Sequence, residues 1–287
     1  MAEGRKPEAR QTALRALKTA AVLGDRVRTP PPGVVVLIYH RVGGGADTEI
    51  DLDPAVFDEQ MAWLAESGRA IGLDTALARL AVREPVGAAA SPTGSKANPV
   101  VVTFDDGTAD LVDHALPILV RHGVPATVYI ATRHVDEQLP WPADGVPITW
   151  AGAQEMVDSG LVTIGSHTHS HALLDRLTPA AAADELDRSR QLIEDRLGVS
   201  ADHFAYPKAV APPAPVEAVV RERFHSAALG GNRPNPYART DRHRLARTAI
   251  QVSDGMRWFH RKVDGGMAFE DTFRRAANRI RYRNATG

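Results

Sequence analysis

Uninterrupted apolar runs alternate with apolar positions at helical spacing through the middle of the chain. Residues 34–39 (VVVLIY) form a continuous apolar run, as expected of a strand buried on both faces of a parallel sheet. Asp53-Pro54 then supplies a helix cap and a first-turn proline, and Phe57, Met61 and Leu64 recur one turn apart as far as Gly68. Residues 100–104 predict a second strand, 111–122 a helix stopped by Gly123, and 126–131 a third strand. A helix over 150–159 with Gly160 as its stop precedes a fourth strand over 161–165. Thr178-Pro179 opens the clearest helix, which runs to about residue 197 and closes at Gly198. Strands that alternate with helices predict an α/β fold with a parallel sheet, in this case a barrel.

The ends of the chain read differently. Residues 1–33 form a basic extension, in which Leu14, Leu17 and Ala21 share a narrow apolar face among Arg5, Lys6, Arg10, Arg15 and Lys18. A solvated helix accounts for this pattern, with a membrane-surface helix over residues 1–28 as the alternative. Thr29-Pro30-Pro31-Pro32-Gly33 breaks that helix and marks a boundary. A catalytic domain is expected over 34–265, interrupted by a surface loop at 85–99 rich in Ala, Ser, Gly and Pro. A basic tail follows at 266–287, with Arg274, Arg275, Arg279, Arg281 and Arg283.

Composition narrows the chemistry. With 287 residues, 44% of them hydrophobic, the chain is long enough for one large core. The net charge of −1 gives no reason to expect nucleic acid, so the tail arginines read as a solvated face. There is no cysteine, so a transition metal would have to sit on His, Asp or Glu. No apolar stretch approaches the roughly 18 residues that cross a bilayer, and Arg15 and Lys18 interrupt the only candidate leader. A cytoplasmic protein is expected.

Two segments fall just after predicted strands, where α/β barrels carry their active sites. In Thr103-Phe104-Asp105-Asp106-Gly107, adjacent carboxylates are costly unless a cation or a shared proton relieves them. In Gly165-Ser166-His167-Thr168-His169-Ser170-His171, three histidines lie within five residues, and neutral imidazole is a common metal ligand. One Asp with two His suits Zn²⁺ or a similar divalent ion. Spacing leaves two arrangements open. A continued strand puts residues 167, 169 and 171 on one face, whereas a turn lets 167 and 171 converge without 169.

Together, TFDDG and SHTHSH some 60 residues apart resemble the polysaccharide deacetylases, a family of carbohydrate esterases. VLIYHRV at 36–42, ALPIL at 115–119 and GVPATVYI at 123–130 extend the resemblance over roughly residues 34–265. It implies a distorted (β/α)7 barrel with Asp105 as general base and Asp106, His167 and His171 as ligands of one divalent metal. Zn²⁺ is the expected ion, with Co²⁺ or Ni²⁺ as alternatives. His169 would be a bystander, and Thr168 matches a small hydroxyl position beside the first ligand. The implied reaction removes N-acetyl groups from an N-acetylated sugar or glycan.

The third family motif is altered. Phe204-Ala205-Tyr206-Pro207-Lys208 holds Ala205 where the family carries arginine and Lys208 where it carries tyrosine. This resembles the FAYP-bearing branch that includes poly-N-acetylglucosamine deacetylases. That branch takes its general acid from an N-terminal Tyr-His, here Tyr39-His40. Arg247 is a candidate to replace the missing arginine by holding a carboxylate. Tyr206, Pro207, Lys208 and Trp150 are expected to bind substrate, although core packing also accounts for Trp150 and Trp141. Two other readings stand beside the deacetylase: a metal-dependent amidohydrolase acting on a non-sugar amide, and a catalytically silent carbohydrate-binding protein.

Overall fold

The computed structural model describes residues 30–82 and 98–268. The basic extension up to residue 29, most of the 85–99 loop and the tail arginines lie outside the described residues.

Strand β1 (Gly33–Tyr39) is followed by two short paired strands, β2 (Arg41–Val42) and β3 (Asp51–Leu52), then by helices α1 (Pro54–Glu66) and α2 (Leu73–Ala81). Strand β4 (Val100–Phe104), helix α3 (Leu116–His122), strand β5 (Ala126–Ile130) and helices α4 (Thr132–Glu137) and α5 (Trp150–Asp158) come next. Strand β6 (Val162–Ser166), helix α6 (Pro179–Leu197), strand β7 (His203–Ala205), helix α7 (Ala214–Arg223) and strand β8 (Ser226–Ala228) follow. The described chain closes with β9 (Asn235–Pro236), β10 (Arg247–Ala249) and helix α8 (Gly255–Val263).

Seven strands run in the order β10-β1-β4-β5-β6-β7-β8, all parallel along that path, with β9 added antiparallel to β1. A parallel bridge from Ala228 to Leu245, just ahead of β10, joins the two ends of the curled sheet. This is the expected distorted (β/α)7 barrel.

Local chemistry fixes the elements that the sequence made visible. Asp53 caps α1, accepting a hydrogen bond from the Ala55 N–H at 2.8 Å, and Thr178 caps α6 through Ala181 at 3.2 Å. The helix expected over 111–122 departs from plan in its first half. Residues Leu111–Ala115 form a π-turn, with the Leu116 N–H reaching back to Leu111. Pro117 has no N–H to return to the residue four before it, so the ladder widens ahead of the proline.

Residue alternation along the strands sorts the side chains into two layers. Val35, Leu37 and Tyr39 of β1, Val102 and Phe104 of β4, and Val128 and Ile130 of β5 pack outward under the helices. Val34, Val36, Val101, Tyr129, Ala205 and Ala228 fill the barrel interior. The period of two carries inward-facing parity on to residues 40, 105, 167 and 247. Among the described residues, no helix is long and apolar enough to cross a membrane.

Candidate active site and metal centre

Four strand ends deliver the chemistry. Asp105 follows β4, its N–H bonded to the Tyr39 carbonyl at 3.1 Å, and His40 follows β1 directly. His167 follows β6, its N–H on the Ile130 carbonyl at 2.9 Å, and Arg247 opens β10.

Arg247 is wholly buried and grips Asp105 with both arms: Nη1 donates to Oδ1 at 2.6 Å and Nη2 to Oδ2 at 2.7 Å. Nη1 also reaches the Thr103 hydroxyl at 3.1 Å, and the guanidinium stands 5.2 Å from the centre of the Tyr129 ring. A fork of this kind is the strongest ordinary way to hold a carboxylate. Room for the ring comes from Gly165, where an added Cβ would come within 2.7 Å of Tyr129 and 2.8 Å of the His203 carbonyl.

Asp106 turns the other way. Its backbone adopts φ +74, and Gly107 follows at φ +82 with an added Cβ only 2.8 Å from Ile130. The turn aims Asp106 at the two histidines. Its Oδ1 lies 3.7 Å from His167 Nε2 and 3.6 Å from His171 Nε2, and all three ligand atoms fall within 4.8 Å of one another. Ligand atoms at about 2.1 Å from a tetrahedral ion sit roughly 3.4 Å apart. Such gaps are too long for hydrogen bonds and close to what one shared ion requires. His167 Nδ1 donates to the Ala205 carbonyl at 2.8 Å, so the Nε2 lone pair faces the cluster. The donor set and its outer support fit a divalent ion.

His169 does not join them. Its Nδ1 pairs with the Thr132 hydroxyl at 3.0 Å, so the turn arrangement of the histidine segment is the one adopted. Thr168 at φ +66 and His171 at φ +59 make that turn, and Thr168 Oγ1 accepts the Ala172 N–H at 3.0 Å. Lys208 and Ala209 are also left-handed, at φ +53 and φ +56. Left-handed non-glycine residues cost free energy, and two of the three ligand candidates, Asp106 and His171, adopt that conformation.

Electrostatics divides the adjacent carboxylates. Burial alone would raise Asp105, but Arg247, with His167 and His40, holds it down at about 2. Burial, assisted by the charge of Asp105 and opposed by His167, pushes Asp106 up to about 6. Burial, then His167 and Lys208, push His171 down to about 2, so its imidazole is neutral.

Two of the residues expected to bind substrate, Tyr206 and Trp150, point away from the cluster. Tyr206 has outward parity: its ring packs on Phe204 among Leu174, Val216 and Val220, and its hydroxyl donates to the His243 carbonyl at 3.4 Å. Trp150 packs against the outer core, donates its indole N–H to Asp136 at 3.0 Å, and lies under Arg196. The tryptophan at the cluster is Trp141, edge-on to His171 with centroids 5.1 Å apart and stacked on His134 at 3.7 Å. Pro207 is buried, and Lys208 is exposed.

An α/β barrel whose strand ends gather an arginine-held carboxylate beside an Asp-His-His cluster carries groups of the kind that metal-assisted hydrolysis uses. The family model for polysaccharide deacetylase matches residues 93–221 of this chain. The Bacillus subtilis protein YxkH, a polysaccharide deacetylase by name, is 25% identical over 207 residues, covering 72% of this chain and 67% of that one. The poly-beta-1,6-N-acetyl-D-glucosamine N-deacetylase of Staphylococcus aureus is 30% identical over 116 residues. That match spans only 39% of the staphylococcal protein. Among solved structures, IcaB from Ammonifex degensii shares the fold with TM-score 0.65 and 24% identity, covering 80% of this chain and 98% of that one. The Streptococcus pyogenes deacetylase PplD gives TM-score 0.64 at 19% identity, covering 81% and 99%.

Proposed function

We propose that the protein removes N-acetyl groups from an N-acetylated amino sugar or glycan with the help of one divalent metal ion. The observation that carries this reading is the division of labour between Asp105 and Asp106. Neighbours in sequence, one is locked to Arg247 and the other turned toward His167 and His171.

Asp106, His167 and His171 would hold the ion; Zn²⁺ suits this donor set, as do Co²⁺ and Ni²⁺. When bound, the ion supplies Lewis acidity toward an amide carbonyl and toward a water. Asp105 is the general base. Arg247 keeps it ionised and fixed in place, and a carboxylate has lone pairs left to take a proton after two are engaged. His40, at the end of β1, is the general acid that delivers a proton to the departing amine. Supporting this reading, His40 and Asp105 both follow inner strands of the same sheet, and the His40 charge helps hold the Asp105 carboxyl down. Lys208, exposed and close enough for its charge to act on Asp106 and His171, is the candidate contact for substrate.

Acetate release by metal-loaded protein tests the reading, with N-acetylglucosamine oligomers compared against simple amides. Release from the oligomers is the expected result. Release from simple amides alone would make the protein an amidohydrolase of another kind, and binding without release would make it a silent lectin-like module. In the same assay, His40→Ala should lose at least about 10²-fold on an acetamide and far less on an aryl acetate, whose leaving group needs no proton. Equal losses on both substrates would remove His40 from the acid role.

A further inference from the structure

His171 is a ligand candidate that no strand holds. It lies four residues beyond His167, at the far end of a loop whose own backbone is left-handed at Thr168 and at His171 itself. An open loop with two such residues relaxes unless its neighbours over-determine it.

One neighbour is helix α4. The Thr132 N–H reaches the Thr168 carbonyl at 3.3 Å, and the Arg133 N–H reaches the His169 carbonyl at 2.8 Å. These contacts satisfy the loop's carbonyls and leave its N–H groups to be satisfied elsewhere. The other neighbour is Glu185, half-buried in the second turn of α6. Its Oε2 accepts two consecutive backbone N–H groups, from His169 at 3.1 Å and Ser170 at 2.8 Å. Its Oε1 accepts the Ser170 hydroxyl at 2.8 Å. One helical turn further on, Ser189 Oγ meets Ser166 Oγ at 2.8 Å, so the same face of α6 also grips the end of β6.

We infer that Glu185 is a positioning residue for the metal ligand His171, a carboxylate clamp that sets the backbone of residues 169–170 and so the direction of the imidazole. A single carboxylate accepting three hydrogen bonds from two adjacent residues fixes two of the four peptide planes between the two ligand histidines. Replacing it frees the loop to abandon the strained φ at His171, and the third ligand then has to be ordered by the ion itself. The inference rests on the proposed metal set, but the clamp can be read without metal.

The test uses the full chain and two readouts. Hydrogen exchange in metal-free protein reports the His169 and Ser170 amides, and chelator competition with Zn²⁺ reports affinity. Glu185→Ala should lose protection at both amides and weaken Zn²⁺ binding by about 10–100-fold, the usual effect of removing an outer-shell partner. Glu185→Gln keeps an oxygen for the two N–H groups and should stay within about threefold of wild type. Should the alanine variant fail to fold, Glu185→Asp withdraws the carboxylate by one methylene and is read the same way. Protected amides together with wild-type Zn²⁺ affinity in Glu185→Ala or Glu185→Asp would overturn the clamp. A wild-type protein with protected amides and no Zn²⁺ binding would instead remove the metal reading.

Discussion

At the scale of single residues, the site depends on two neighbouring aspartates being made unlike each other. Asp105 inherits the inward parity of Thr103 and meets a buried guanidinium; Asp106 is carried round by a left-handed turn to the histidines. Replacing each should separate the two roles. Asp105→Asn should keep stoichiometric metal and lose about 10²–10⁴-fold in turnover, the usual worth of a general base. Asp106→Asn should weaken metal binding itself. Near wild-type turnover in Asp105→Asn at saturating metal would contradict the base assignment. Asp106 also sets a pH dependence. Metal needs its ionised form, and with its carboxyl raised to about 6 a proton competes increasingly as pH falls through that value. His171, held neutral down to about 2, adds no competition over that range. Metal affinity measured between pH 7.5 and 5 should therefore fall below about pH 6, approaching tenfold per pH unit for this one group.

At the scale of elements, what was legible depended on length. Of the strands of five to seven residues, β1, β4 and β5 show in the sequence as largely apolar runs and β6 as a shorter alternation, and α6 shows through its cap and its closing glycine. Strands β7, β8 and β10 have three residues each, reading HFA, SAA and RTA, too few to display a period. The candidate ligands and base were legible because their spacing is unusual. Glu185 was not, being one acidic residue among several on a charged helix. Tyr206 and Trp150 lie away from the cluster for a physical reason: with Ala205 facing inward, its neighbour Tyr206 must face outward, and Trp150 sits on an outer helix. Arg247 illustrates how much one three-residue strand can carry. Arg247→Met would leave Asp105 buried without its partner, which should cost about 3–5 kcal/mol of stability. Asp105 would then lose the interaction that lowers it, so the acid limb of kcat/KM should move to higher pH. Denaturant unfolding and a pH–rate profile read the two effects, and an unmoved acid limb would contradict the pairing as the cause of Asp105's ionisation.

At the scale of the whole molecule, the barrel brings together groups far apart in sequence: His40 from β1, the aspartates from β4, the histidines from β6 and Arg247 from β10. Closure by the Ala228–Leu245 bridge holds β10 in register beside β1, with Arg247 paired to Val36, three strands from β5. The interior below the site holds Val34, Val36, Val101 and Tyr129, with the buried His203–Ser226 pair among its few polar groups. Chemistry is thus confined to the rim where the strands end. The most direct test of the account is to strip the protein with a chelator and return Zn²⁺ in steps while acetate release from an N-acetylglucosamine oligomer is followed. The account predicts no release from stripped protein and activity that rises with added ion until one equivalent per chain is bound. Undiminished release after stripping, or no release at any loading, would contradict it.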